Sequence, residues 1–122
     1  MIPSFINLYV DNPERSAIFY EGIFGLKPAA LSPTFAMFVF PGNIKLGLWS
    51  RNTVEPAATG SAGLFEVAVP LGSAAEVDAI HGKLVAAGHT VLQKPTDMDF
   101  GRTFVIADPD GHRLRFYNPP VQ

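Results

Sequence analysis

The chain has 122 residues, is 48% hydrophobic and 16% charged, holds no cysteine, and sets nine Lys+Arg against eleven Asp+Glu for a formal charge of −2. At this size roughly 65% of the unfolded surface is buried on folding, enough for a real core. Disulfides, thiol catalysis and Cys-ligated zinc or iron–sulfur sites are excluded, and the balanced charge gives no basic footprint for nucleic acid or an anionic membrane.

The longest apolar run, Phe35 to Phe40, is far short of the ~20 residues of a membrane helix, so neither a membrane nor a nucleic acid is an expected partner. No basic region precedes the first apolar residues and the first charge is Asp11, so the expected compartment is the cytoplasm.

Phe5 to Val10 is β-rich, and Asn12-Pro13-Glu14 then supplies an N-cap, a proline for the first helical turn and an early acid. A helix is predicted from there through Phe24, with Gly25 as a left-handed cap and Lys27-Pro28 preventing continuation. Short strands are predicted at Pro28 to Leu31, Phe35 to Phe40 and Ile44 to Trp49, the last two joined by a turn at Pro41-Gly42-Asn43. After a turn-rich linker, residues 52–63, the order repeats. A strand at Leu64 to Val69 precedes a helix opened by the capping box of Ser73 and Glu76, with Val77, Ile80 and Leu84 on one face and Gly88 at its end. Strands follow at Thr90 to Gln93, Arg102 to Ala107 and His112 to Tyr117, the last two joined by Asp108-Pro109-Asp110-Gly111.

The pattern is therefore βαβββ used twice, in modules of about residues 1–51 and 64–122 within a single domain. The expected fold is α+β, two modules forming a concave mixed sheet with helices outside and a small-ligand surface within.

Candidate chemistry is sparse. His81, His89 and His112 show no clustering and read as exposed or turn-stabilising, so no metal ligand set is expected. Asp108 and Asp110 are explained by the turn they form. Glu66 interrupts an apolar strand, and strand alternation puts Arg113, Arg115 and Tyr117 on one face of the last strand. Glu66 and Arg115 are thus either a pair lining the concavity or two solvated surface charges. There is no Gly-x-Ser-x-Gly, no His-Glu-x-x-His and no phosphate loop, so covalent and phosphoryl-transfer catalysis are disfavoured. Of the aromatics, most of the ten Phe belong to the core, whereas Trp49 is expected to face the side where Gly47 leaves room, suited to a flat conjugated ligand.

The repeat, the opening Val10-Asp11-Asn12-Pro13-Glu14-Arg15-Ser16 with Phe19-Tyr20 and Phe24-Gly25, and the Asp108-Pro109-Asp110-Gly111-His112 turn resemble the vicinal oxygen chelate superfamily, also called the glyoxalase/bleomycin resistance/dioxygenase superfamily. In its metal-dependent members a His, Gln or Glu stands on the first, fourth, fifth and eighth strands. Here the resemblance places those positions on Phe5, around Leu46 or Gly47, on Leu64 and on Arg115, which implies a member without the metal and an inward Arg115 and Glu66. Leu48-Trp49-Ser50, Glu66 to Gly72, and Asp99-Phe100-Gly101-Arg102-Thr103-Phe104 are similar to the phenazine-antibiotic resistance proteins, implying a planar aromatic ligand stacked on Trp49 in a homodimer cleft.

The leading expectation is a non-catalytic, cofactor-free sequestering protein. Trp49 and Phe5 supply apolar walls, Met98 and Phe100 a lid, and Arg115, Arg102, Asn7 and Glu66 the polar contacts. The alternatives are a metal-dependent glyoxalase or dioxygenase with an atypical site, and metal-free acid/base catalysis by Glu66.

Overall fold

The computed structural model describes residues 1–119, and the chain divides into two compact units, Met1–Gly60 and Ser61–Gln122. The fold is α+β, with one βαβββ module and one four-stranded mixed sheet in each unit.

In the first unit the order is β1 (Phe5–Val10), α1 (Pro13–Phe24), β2 (Ala30–Leu31), β3 (Phe35–Phe40) and β4 (Ile44–Ser50). The sheet runs β1-β4-β3-β2, with β1 parallel to β4 and the other pairs antiparallel. Helix α1 starts where its sequence said it would: the Asn12 side chain accepts from Arg15 N at 3.1 Å, Pro13 needs no donor partner there, and Gly25 ends the helix at φ +68°. Strand β2 keeps only two of its four predicted residues. Ala29 N is bonded to Met37 O ahead of it, and Ser32 turns the chain back through its hydroxyl, which accepts from Phe35 N.

Alternation sorts the sheet into two faces. Leu8, Val10, Ala36, Phe38, Leu46 and Leu48 are buried together under α1, whose Phe24 meets Phe40 edge to face at 4.9 Å. The opposite face, free of helix, carries Phe5, Asn7 and Tyr9 on β1, Lys45, Gly47 and Trp49 on β4, and Phe35 on β3.

The second unit follows the same order: β5 (Glu66–Pro70), α2 (Ala74–Ala86), β6 (Thr90–Met98), β7 (Gly101–Ala107) and β8 (Arg113–Tyr117). Its sheet runs β5-β8-β7-β6, with β5 parallel to β8. Ser73 Oγ accepts from Glu76 N at 3.1 Å as a capping box requires, while the Glu76 carboxylate accepts from Gly72 N, one residue earlier than the standard reciprocal bond. Val77, Leu84, Phe104, Ile106, Leu114 and Phe116 form the core beneath α2. His81, expected outside the helix, instead turns inward and meets Phe104 edge to face at 5.3 Å.

Strand β6 is nine residues long, not the four predicted. Its ladder with β7 slips between Val91 and Gln93 and again between Gln93 and Thr96, each time giving β6 one extra residue. Pro95, which cannot donate to a ladder, lies within the second slip, and Thr96 Oγ1 closes it by donating to Lys94 O at 2.7 Å. No helix among the described residues is long and apolar enough to cross a membrane.

Candidate functional site

On the first unit, the parallel register of β1 and β4 brings together three of the residues predicted for ligand contact: Phe5 lies opposite Lys45, Asn7 opposite Gly47 and Tyr9 opposite Trp49. Phe35, set opposite Trp49 by the β3–β4 hairpin, completes the group. The rings form a continuous series, Phe5 to Phe35 at 6.4 Å and Phe35 to Trp49 at 6.1 Å and 84°. Lys45 Nζ stands 5.8 Å from the Phe5 centroid, within cation–π range. Phe5 is exposed and Trp49 half-buried, so the aromatic surface is not sealed within the unit.

Gly47 does not leave free room beside Trp49. A Cβ at that position would press on Asn7 Oδ1 and fall 2.7 Å from Phe5 Cε1 and 3.1 Å from Phe35 Cε1. The glycine's missing side chain is already used: it lets Asn7 and two rings close over the strand.

On the second unit, Arg115 is the centre. Its Nε donates to Glu66 Oε1 at 2.8 Å and Oε2 at 3.0 Å, and its Nη1 donates to Gln93 Oε1 and Thr103 Oγ1, both at 3.1 Å. Thr103 is buried and donates its own hydroxyl to Phe116 O at 2.9 Å, which fixes the lone pairs it offers Arg115. The Arg115 side chain is 18% exposed and that of Glu66 38%, so the pair is formed and held, not two independently solvated charges. Phe100, in the hairpin turn between β6 and β7, lies 5.7 Å from the Arg115 guanidinium and 6.2 Å edge-on from Tyr117. Met98, the last residue of β6, accepts a weak bond at Sδ from Gln93 Nε2.

Three open hollows surround this centre. One of about 320 Å³ is lined by Glu66, Ala68, Phe100, Arg115 and Tyr117. A second of about 300 Å³ is lined by Leu92, Gln93, Val105, Arg113 and Arg115, and a third of about 240 Å³ by Gly63, Leu64, Phe65, Glu66 and Arg113. The first two reach the lower end of the ~300–1,000 Å³ typical of small-molecule sites.

Arg102 is not part of this group. On β7 it alternates with Thr103 and shares the helix side with Phe104, where its Nε donates to Asp78 Oδ1 of α2 at 2.8 Å and its Nη1 to Asp97 Oδ1 at 3.0 Å. Hydrogen bonding to Asp78 first, and to Asp97 second, raises its pKa above the ordinary arginine range. It ties a helix to a strand. Asp108 is likewise structural, accepting from Asp110 N at 2.8 Å and His112 N at 2.9 Å.

The sequence did not mark Gln93, Thr103 or Phe35 as site residues, and it placed Tyr117 only on the strand face of Arg115. For Phe35 the signal was present: pairing outward from the turn at Pro41-Gly42-Asn43 leads to Trp49. Pairing outward from the Asp108 turn leads in the same way from Arg115 to Val105 and from Tyr117 to Thr103.

The positions that the resemblance assigns to metal ligands do not fit a cation. Phe5 offers a hydrocarbon ring and Gly47 nothing; Leu46 is buried and Leu64 is an exposed hydrocarbon; Arg115 is itself a cation. The nearest carboxylate, Glu66, is committed through both oxygens to Arg115. Among the described residues no three His, Asp or Glu side chains are grouped so as to hold a metal.

Comparison with known proteins agrees with the fold. The sequence profile of the Glyoxalase/Bleomycin resistance protein/Dioxygenase superfamily matches residues 3–116. The phenazine antibiotic resistance protein EhpR of Enterobacter agglomerans is 34% identical over 116 residues, 93% of this chain and 88% of that protein. The solution structure of protein ATC0852 from Agrobacterium tumefaciens superposes with a TM-score of 0.90 at 46% identity, covering 99% of both chains. A glyoxalase-related enzyme from Fulvimarina pelagi superposes with a TM-score of 0.85 at 26% identity, over 98% of this chain and 89% of its own. With a match running nearly from end to end, the chain belongs to the glyoxalase/bleomycin resistance protein/dioxygenase superfamily.

Proposed function

We propose that the protein binds and sequesters a planar aromatic small molecule of the phenazine kind, without a metal and without transforming it. The observation that carries this reading is the aromatic face of the first sheet. Phe5, Phe35 and Trp49 form a series of rings on the side not covered by α1, where a core would have buried them. Flat rings gain area burial plus about 0.5–1.5 kcal/mol per well-oriented aromatic contact on such a surface. The second unit carries a group of its own suited to a substituted ring, Arg115 and Glu66 beside Phe100 and Tyr117, with Met98 bonded to Gln93 next to them. Kinship with a protein named for phenazine antibiotic resistance supports the ligand class.

A homodimer belongs to the same reading. Its support is the number of large apolar side chains left exposed, among them Ile18, Leu31, Val39, Ile44 and Phe65, which a lone chain would present to water. Sedimentation at micromolar concentration gives a dimer mass if this holds, and a monomer mass if it does not.

Because Trp49 is the only tryptophan, its fluorescence is a single-site reporter. Titration with a phenazine is expected to quench it saturably, and Trp49→Ala to weaken binding measured by calorimetry at least tenfold. Absence of binding by the parent protein removes the function; undiminished binding by Trp49→Ala removes the stacking role.

A further inference from the structure

Resting on the binding function above, we propose that the ligand is an aromatic carboxylate, and that Arg113 is the residue that takes its carboxylate. The three hollows of the second unit meet in pairs at three charged residues. The first and second share Arg115, the first and third share Glu66, and the second and third share Arg113. Among the described residues no other charged side chain lines any of them, so two cations face one carboxylate and the charge these residues carry is 2 − 1 = +1. This excess sits in a protein whose overall charge is −2, so it is not a reflection of composition.

The two arginines are not equivalent. Glu66 lies opposite Arg113 in the β5–β8 ladder, yet its carboxylate is turned to Arg115, which occupies both oxygens. Arg115 commits Nη1 as well, to Gln93 and Thr103. Arg113 is exposed, and among the described residues no carboxylate is paired with it. A neutral ligand leaves the +1 uncompensated. A ring carrying a carboxylate completes it, with the anion at the shared edge of the second and third hollows and the guanidinium fork matched to a carboxylate's two oxygens. Arg115, already neutralised, acts as a fixed wall.

The test compares phenazine-1-carboxylate with its neutral isostere phenazine-1-carboxamide by calorimetry at pH 7 and low salt, in the parent, Arg113→Gln and Arg113→Lys. The parent is expected to bind the acid about tenfold more tightly than the amide, the scale of one charge-assisted contact. In Arg113→Gln that ratio falls to within about twofold of one, in Arg113→Lys part of it returns, and in the parent it shrinks as salt is raised. Equal binding of acid and amide by the parent overturns the proposal while leaving ring sequestration intact. A preference that survives Arg113→Gln overturns the assignment to Arg113, and failure of both compounds to bind overturns the function beneath it.

Discussion

Arg115 Nε donates to both oxygens of Glu66, at 2.8 and 3.0 Å, joining residues 49 apart in sequence across the parallel β5–β8 pair. The single Nε–H is shared between the two oxygens, and with the Nη1 bonds to Gln93 and Thr103 it holds the guanidinium in one geometry, which most surface ion pairs lack. A double-mutant cycle with Glu66→Gln and Arg115→Gln, measured by urea unfolding, is expected to give a coupling energy of about 1 kcal/mol. Zero coupling would mean the pair is decoration on the sheet.

Exposure separates function from stability among the phenylalanines. Phe38 is fully buried under α1, so Phe38→Ala is expected to cost roughly 3–5 kcal/mol of stability. Phe5 is 39% exposed on the helix-free face, and Phe5→Ala is expected to lower phenazine affinity several-fold at a stability cost of about 1 kcal/mol. The reverse pattern, a large stability loss with intact affinity, would make Phe5 an ordinary packing residue.

Two glycines are predicted to respond differently to alanine. At Gly101, φ is +123° and a Cβ would run into the Asn118 carbonyl, which is backbone and cannot swing away, so Gly101→Ala should cost about 3 kcal/mol. At Gly47 the atoms in the way belong to the side chains of Asn7, Phe5 and Phe35. Gly47→Ala should therefore displace the aromatic face, reducing ligand affinity more than thermal stability. Thermal melts and titrations of both variants, run side by side, decide this.

Arg102 is predicted to be neutral for ligand binding. Its guanidinium bridges Asp78 on α2 and Asp97 on β6, and a raised pKa means the favourable interaction is complete below the ordinary arginine range and is lost only as pH rises beyond it. The charge therefore persists through the physiological range. Arg102→Gln should lower the melting temperature modestly and leave the phenazine dissociation constant within twofold; a larger change would restore Arg102 to the ligand site.

Dialysis against a chelator followed by titration should leave phenazine affinity unchanged, because the positions of the family's metal ligands hold Phe5, Leu46 or Gly47, Leu64 and Arg115. Affinity that disappears with chelation and returns with a divalent metal would reverse this.

What was legible in the sequence follows the local physics of each element. Helix α1 could be read because Asn12, Pro13 and Gly25 act within a few residues of themselves. The Glu66 and Arg115 pair was within reach as one of two alternatives, because parity marks the polar face of each of their strands, while only the β5–β8 register brings those faces together. Gln93 was not, since the two slips in β6 break the alternation that parity depends on, and Pro95 reads as the end of a strand that in fact continues to Met98. Arg102 was misplaced for a simpler reason. Its neighbourhood suggested a ligand contact, but one position along β7 separates the helix side from the other, and only the Asp78 bond reveals which side it takes.

The paired slips in β6 have a further consequence. One extra residue before Gln93 and another after it cancel, so Asp97 and Met98 point as they would on an unbroken strand, and the inversion is confined to a short window around Gln93. The strand behaves like a reading frame shifted and then restored. Removing a single residue from that window would leave the frame uncorrected, swinging either Gln93 or the Met98–Phe100 hairpin to the wrong side. Removing one from each slip would keep the sheet in phase and cost only the amide that steadies Arg115.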